Sequence, residues 1–269
     1  MDPTETGYVP VEDGKLYYEL CDNSGPPVIL LHAHSVDLRM WEPQMSLLSE
    51  SYRVIRYDFR GYGRSDLPVN KRFRHVDDLV QLMDDLEIDR THLVGLSLGS
   101  LVSLDMLALY PERVLSASLA SGALYTDGKG EPEEPARPSG ALSGSELTAY
   151  KEKWLHDLLA MCGPERLRIE NDLRTMISHW SAWQPMYETC RPLLGPSLIR
   201  RLRETDPSIP VLAVIGEEDS EGSRRSSEAL LSLRPTAQAV RLPGSGHFSN
   251  METPDLFNNE ILRFLQAQF

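Results

Sequence analysis

Leu93-Val94-Gly95-Leu96-Ser97-Leu98-Gly99 limits what this chain can fold into more than any other stretch. It reads as the end of a buried strand, a sharp turn and the first turn of a helix. Gly-x-Ser-x-Gly is what such a turn needs if a serine hydroxyl is to stand exposed on it. Glycines lack the Cβ that would meet the neighbouring backbone, and strained backbone collects at functional sites. The helix that follows aims its first N–H groups at the same place, which favours negative charge there. Alone, the pattern arises by chance in about one chain in ten of this length, and the plain alternative is a small-residue turn. The surroundings decide between them. Thr91-His92-Leu93-Val94 has the apolar character of a strand, and Leu101, Leu104 and Leu107 recur at helical spacing.

Strands and helices alternate on either side of this turn. Residues 8–11 and 16–20 flank Glu12-Asp13-Gly14-Lys15, an Asp-Gly hairpin signal. Val28-Ile29-Leu30-Leu31 is apolar without alternation, as a parallel strand covered on both faces must be. Trp41, Met45 and Leu48 mark a short helix with Pro43 in its first turn, and residues 53–57 form the next strand. Val76, Leu79, Val80, Met83 and Leu86 make a helical stripe, and residues 114–120 are a further strand. The sheet resumes at residues 211–215. A helix around 228–233, a strand near 239–242 and a helix starting at Thr253-Pro254-Asp255 close the chain. The order predicts an α/β fold: a mostly parallel eight-stranded sheet flanked by helices, with reactive groups at the carboxyl ends of its strands.

One crossover is far too long. A connection between parallel strands needs about a dozen residues, and about ninety stand between Ala120 and Val211. Residues 128–144 are rich in Gly, Pro, Glu and Ser and read as a mobile loop. Two helical stretches follow, one with Leu147, Tyr150, Trp154, Leu158 and Met161 on a face, the other with Ile169, Leu173, Met176 and Trp180. A shorter one runs near 198–202. We therefore divide the chain into a core segment at 1–124, an inserted all-helical cap (lid) at 125–206 and a second core segment at 207–269.

Composition excludes several classes. With 269 residues, 41% of them hydrophobic, the chain has the make-up of a globular protein. It has no apolar run of transmembrane length, and its start is acidic and polar, unlike a signal peptide, so the default expectation is a cytoplasmic protein. A net charge of −13 repels nucleic acid and anionic membrane. The three cysteines (Cys21, Cys162 and Cys190) have neither disulfide nor zinc spacing and suit small apolar packing. No metal or cofactor is expected. The partner is a small-molecule substrate, on a monomer or homodimer.

A serine becomes a nucleophile only beside a base, and the base needs a group to hold its tautomer. Of seven histidines, His247 stands in the glycine-rich loop Gly244-Ser245-Gly246-His247-Phe248 directly after the last strand. His92 falls in a strand, and His75, His156 and His179 on helices, where packing or surface roles suffice. Gly216-Glu217-Glu218-Asp219 follows another strand and offers three carboxylates. Asp219, farthest out in the turn, is favoured over Glu217 and Glu218. Ser121-Gly122-Ala123-Leu124, after the strand at 114–120, offers none. Arg60-Gly61-Tyr62-Gly63-Arg64-Ser65 lacks the Lys-Ser/Thr ending of a phosphate loop and reads as a tight turn beside the site.

In these features the chain resembles the α/β-hydrolase superfamily over essentially its whole length. The matching runs are Leu31-His32-Ala33-His34 with Trp41 downstream, residues 57–65, the turn at 95–99, residues 216–219 and Gly246-His247; the order Ser, Asp, His also matches. The resemblance implies a triad of Ser97, Asp219 and His247, with an oxyanion hole from the N–H groups of Leu98 and His34. Ala33 stands where that family usually has glycine. Residues 37–44, 56–61 and 95–99 are further similar to 3-oxoadipate enol-lactonases and related small-ester and lactone hydrolases. Those often carry Ser-Asn where this chain has His32-Ala33, and glycine where it has Ser100. We expect Ala33, Trp154, Met161, Trp180, Trp183 and Phe248 to border the substrate, while most other cap aromatics and methionines pack. The reading is a serine hydrolase of a small carboxylic ester or lactone. Its rivals are other chemistry on the same triad (a carbon–carbon bond hydrolase, a perhydrolase or a haloperoxidase-like enzyme) and a non-catalytic small-molecule receptor.

Overall fold

The computed structural model describes residues 3–69, 72–122, 124, 141–188 and 193–268. In chain order the core begins with β1 (Glu5–Val11), β2 (Gly14–Cys21), β3 (Pro27–Leu31), α1 (Glu42–Leu48), β4 (Arg53–Tyr57), α2 (His75–Asp85), β5 (Thr91–Leu96), α3 (Leu98–Leu109) and β6 (Val114–Ala120). Among the described residues four helices follow: α4 (Gly144–Ala160), α5 (Arg166–His179), α6 (Trp183–Tyr187) and α7 (Leu198–Glu204). The core resumes with β7 (Val211–Gly216), α8 (Glu221–Leu233), β8 (Gln238–Leu242), α9 (Ser249–Glu252) and α10 (Pro254–Gln266). The segment expected to be a mobile loop lies, except for its last few residues, outside the described residues, as does Cys190.

The eight strands form one sheet in the order β1-β2-β4-β3-β5-β6-β7-β8. β1 and β2 are an antiparallel hairpin, β2 is antiparallel to β4, and every later pairing is parallel. The Asp-Gly signal marks the hairpin, but the left-handed residue is Asp13, at φ 66°, and Gly14 already pairs with Val11. Aspartate tolerates that conformation because its side chain bonds locally. Helix α8 begins seven residues earlier than the periodicity suggests. Ser220 caps it, its hydroxyl oxygen accepting the N–H of Ser223 at 3.2 Å.

Both faces of the sheet are covered, which is why its strands read as unbroken apolar runs. Ile29, Leu31, Leu93, Ala117 and Ala213 pack under α2, α3 and α8; Val28, Leu30, Val94, Leu212 and Val214 pack under α1 and α10. The chain moves outward in one direction after β3 and in the other after β5. The loops leaving these two neighbouring strands therefore part and open a crevice at their carboxyl ends. The helices between β6 and β7 lie against the loops that rim it: Trp154 bonds Ser35, Gln184 bonds Gly61 and Gly163 bonds Glu252.

Candidate active site

Ser97 occupies the turn between β5 and α3 with φ 54° and ψ −108°, a conformation costing an L-residue on the order of 1–3 kcal/mol. Its surroundings enforce it. The Ser97 N–H donates to Ala120 O at 2.9 Å, and the Ser97 carbonyl accepts from Leu101 N at 3.1 Å. A Cβ on Gly95 would stand 2.7 Å from Ser100 N, and one on Gly99 would stand 2.9 Å from Leu31 Cβ. Both glycines of the motif are thus required by close backbone approach. Ser100 is fully buried, and its hydroxyl lies 2.9 Å from Gly95 O and 2.8 Å from Ala120 O. The serine that replaces a customary glycine therefore ties the turn to β6. Ser97 and Leu98 stay half-buried on the crevice side of an otherwise buried segment.

Asp219 and His247 lie beyond the carboxyl ends of β7 and β8, on the same edge of the sheet. His247 Nδ1 is 3.0 Å from Asp219 Oδ1 and 3.2 Å from Oδ2. The carboxylate also accepts the Ser220 N–H at 2.7 Å and the Ser223 hydroxyl at 2.6 Å. Glu217 and Glu218 are exposed, so of the three carboxylates only Asp219 faces the imidazole. Burial alone would raise the Asp219 carboxyl; the facing His247 and these hydrogen bonds outweigh it and hold it below the ordinary value. Burial likewise opposes charge on His247, but the Asp219 charge and hydrogen bond, with Glu252 behind them, raise it above the ordinary value. A carboxylate bonded to Nδ1 leaves the proton there and turns Nε2 into the acceptor, the tautomer a base needs.

The loop after β3 is braced from beneath. His32 is buried and its pKa is pushed down to about 4 by desolvation, so it is neutral. Its Nδ1 donates to Ala33 O at 2.7 Å, and its Nε2 accepts the Phe59 N–H at 3.0 Å. Ala33 is not among the described residues with positive φ, so alanine in the place of glycine is unstrained there. Asp58 accepts the N–H groups of Leu38 and Arg64, both at 2.8 Å, and holds the loops after β3 and β4 together. The half-buried His34 sits at the crevice, its Nδ1 2.6 Å from the Tyr62 hydroxyl and its ring edge-on to Trp154 and Trp180.

The six residues expected around the substrate fall in different settings. Trp154, half-buried, donates its indole N–H to Ser35 Oγ at 2.6 Å, while the buried Trp180 donates to Gln184 Oε1 at 2.8 Å. Met161 is half-buried, and its carbonyl accepts the His247 N–H at 3.1 Å. Ala33 and Trp183 are buried, and Phe248 is fully enclosed beside His247. The remaining histidines are structural or superficial. His75 packs on Phe59, His92 bonds Ser116 at 2.8 Å, and His156 and His179 are exposed. Cys21 and Cys162 are buried. Among the described residues no group of His, Cys, Asp and Glu has the arrangement of a metal site, and no helix is long and apolar enough to cross a membrane.

Two residues at the site escape sequence reasoning. Ser121, at φ 47°, donates its hydroxyl to His247 O at 2.7 Å. Glu252, fully buried, accepts backbone N–H groups on both sides of His247. The only signal for either is its nearness in sequence to a strand end or to the histidine.

Comparison with known proteins identifies the family and the fold. The profile of the Alpha/beta hydrolase family matches residues 28–260. A relative from Azorhizobium caulinodans, whose name assigns it provisionally to carbamate hydrolysis, is 24% identical over 262 residues, covering 94% of this chain and 95% of its own. 3-Oxoadipate enol-lactonase 1 of Acinetobacter baylyi is 24% identical over 251 residues, covering 91% and 90%. The crystal structure of the enol-lactonase from Burkholderia xenovorans LB400 superposes with a TM-score of 0.77 at 23% identity, over 97% of this chain and 100% of that one.

Proposed function

The chain belongs to the alpha/beta hydrolase family, and from that premise we propose that it is a serine hydrolase cleaving a small carboxylic ester or lactone through an acyl-enzyme. Ser97 Oγ attacks the carbonyl carbon as His247 Nε2 takes its proton. The N–H groups of Leu98 and His34 receive the negative oxygen. Collapse breaks the bond to the leaving oxygen, which takes the proton back from His247. Water, deprotonated by His247, then releases the acid and restores Ser97. Asp219 holds the imidazole and stabilises its charged form. Residues 125–206 act as the cap, and Ala33, Trp154, Met161, Trp180, Trp183 and Phe248 border the acyl site.

The observation that carries this reading is the buried His247–Asp219 pair, at 3.0 Å, on the same sheet edge as a serine held at positive φ. The lactonase names among similar proteins support the ester or lactone class, and the carbamate name adds one arm to the test. Purified protein is offered p-nitrophenyl esters from acetyl to octanoyl, γ-butyrolactone, an enol-lactone, an aryl carbamate and a vinylogous diketone, with products identified by mass spectrometry. Turnover greatest on an ester or lactone, and lost in Ser97→Ala, is the expected result. Cleavage of the diketone alone would replace the reading with carbon–carbon bond hydrolysis. A ligand-dependent rise in Tm with no turnover would replace it with a receptor.

A further inference from the structure

Glu252 does no work in that mechanism, yet its carboxylate is fully buried at the site. Its Oε1 accepts the Phe248 N–H at 2.9 Å. Its Oε2 accepts the Gly246 N–H at 2.9 Å and the Gly163 N–H at 2.6 Å. The first two donors flank His247 in sequence; the third lies in the turn between α4 and α5, on the helical insertion. Burying a carboxylate is costly unless its oxygens are well bonded, and here three backbone donors converge on two oxygens.

The backbone around it is interlocked. A Cβ on Gly246 would stand 2.5 Å from Gly163 N and 2.6 Å from Cys162 C; one on Gly163 would stand 2.7 Å from Gly244 O. The His247 N–H adds a bond to Met161 O at 3.1 Å. The loop carrying the imidazole and the turn of the insertion are in direct backbone contact, with Glu252 between them.

Resting on the proposed hydrolase reading, we infer that Glu252 is the positioning residue for His247. Its carboxylate clamps the backbone on both sides of the imidazole and ties that loop to the insertion, so that the base and the wall of the acyl site hold one geometry. Its negative charge also favours the imidazolium formed during the reaction. The other charged or titratable groups around His247 are Asp219 after β7, the buried Cys162 thiol after α4, held protonated by burial and by Glu252, and Arg224 of α8, which donates to Asp219 O.

Glutamine in place of Glu252 keeps the shape but offers only one accepting oxygen. Its amide N–H₂ must face either Phe248 N–H or the pair Gly246 and Gly163, none of which can turn away. Aspartate keeps the charge but is one methylene shorter and cannot reach all three donors. The test follows phosphonylation of Ser97 by a fluorophosphonate, and kcat and KM for p-nitrophenyl butyrate, across pH 5–9. Wild type, Glu252→Gln and Glu252→Asp are compared, each checked for folding by circular dichroism.

Both variants should react at least about tenfold more slowly at pH 8 with KM within about threefold. The midpoint of the acid limb should fall by about half a pH unit or more in Glu252→Gln and stay in place in Glu252→Asp. A folded Gln variant with wild-type rate and midpoint would overturn the inference. So would equal losses in both variants with neither midpoint moved, which is what a purely structural residue would give. If the Gln variant does not fold, a folded Asp variant reacting at the wild-type rate overturns it equally. Failure of the wild type itself to react would sink the hydrolase reading and this inference with it; a reactive wild type with unaffected variants sinks this inference alone.

Discussion

Replacing Asp219 by Asn tests the acid–base logic at the atom on which it turns. Asp219 Oδ1 accepts the Ser220 N–H at 2.7 Å, and this backbone donor cannot rotate. The Asn carbonyl oxygen therefore stays at that position, and its N–H₂ takes the place of Oδ2. Ser223, 2.6 Å from Oδ2, can turn its hydroxyl to accept. His247 Nδ1, 3.0 Å from the retained oxygen and 3.2 Å from the new N–H₂, then faces one acceptor and one donor in place of two acceptors, so the tautomer protonated on Nε2 gains population. That tautomer cannot take a proton from Ser97, and the imidazolium has lost its carboxylate. Such a change typically costs about 10³–10⁴ in kcat, or about 4–5.5 kcal/mol of transition-state stabilisation. The pH dependence has a definite sign. In the wild type, burial lowers the His247 pKa, but Asp219 and Glu252 outweigh it and hold it above the ordinary histidine value, so activity should fall as pH drops through that raised pKa. Without the Asp219 charge, burial prevails and the acid limb should move down by about one to three units. The assay is kcat/KM for p-nitrophenyl acetate from pH 4.5 to 9, with Tm recorded for each protein. A folded Asp219→Asn enzyme retaining more than a tenth of wild-type activity, or one whose acid limb does not move, would remove Asp219 from this role.

Three further outcomes follow from the same contacts. Ser100→Gly removes the hydroxyl bridging Gly95 O and Ala120 O and adds a helical glycine. The two effects cost about 1.5–2 kcal/mol, or about 3–8 °C in Tm by calorimetry, and an unchanged Tm would contradict the bridging role. Trp154→Phe keeps the ring but loses the 2.6 Å bond to Ser35 beside His34. It should lower the urea midpoint by the equivalent of about 1 kcal/mol and raise KM several-fold; a KM equal to that of the wild type would detach Trp154 from the acyl site. In the wild type, the acid limb of fluorophosphonate labelling should have its midpoint above pH 6.5, because the His247 pKa is raised. Full reactivity at pH 4.5 would exclude His247 as the base.

Much of the framework was legible because burial on both faces of a parallel sheet leaves unbroken apolar runs, and residues 28–31, 114–120 and 211–215 are all strands of the sheet. The turn at Ser97 was legible because close backbone approach admits only glycine on either side. What could not be read depends on partners distant in sequence. Glu252 looks like a surface carboxylate until Gly163, from the insertion, is brought against it. Ser100 looks like a small helix residue until Ala120 O arrives from β6. The start of α8 was missed because its first two turns, Glu221-Gly222-Ser223-Arg224-Arg225-Ser226-Ser227, are polar and carry no apolar stripe, so that only the Ser220 cap marks it.

The central claim, an activated Ser97 in a reachable pocket, is tested most directly by intact-mass measurement after exposure to a small fluorophosphonate, on the wild type and on Ser97→Ala. One adduct per chain on the wild type and none on the folded variant is the expected result. A folded wild type that gains no adduct, or a variant that labels as well as the wild type, would contradict it.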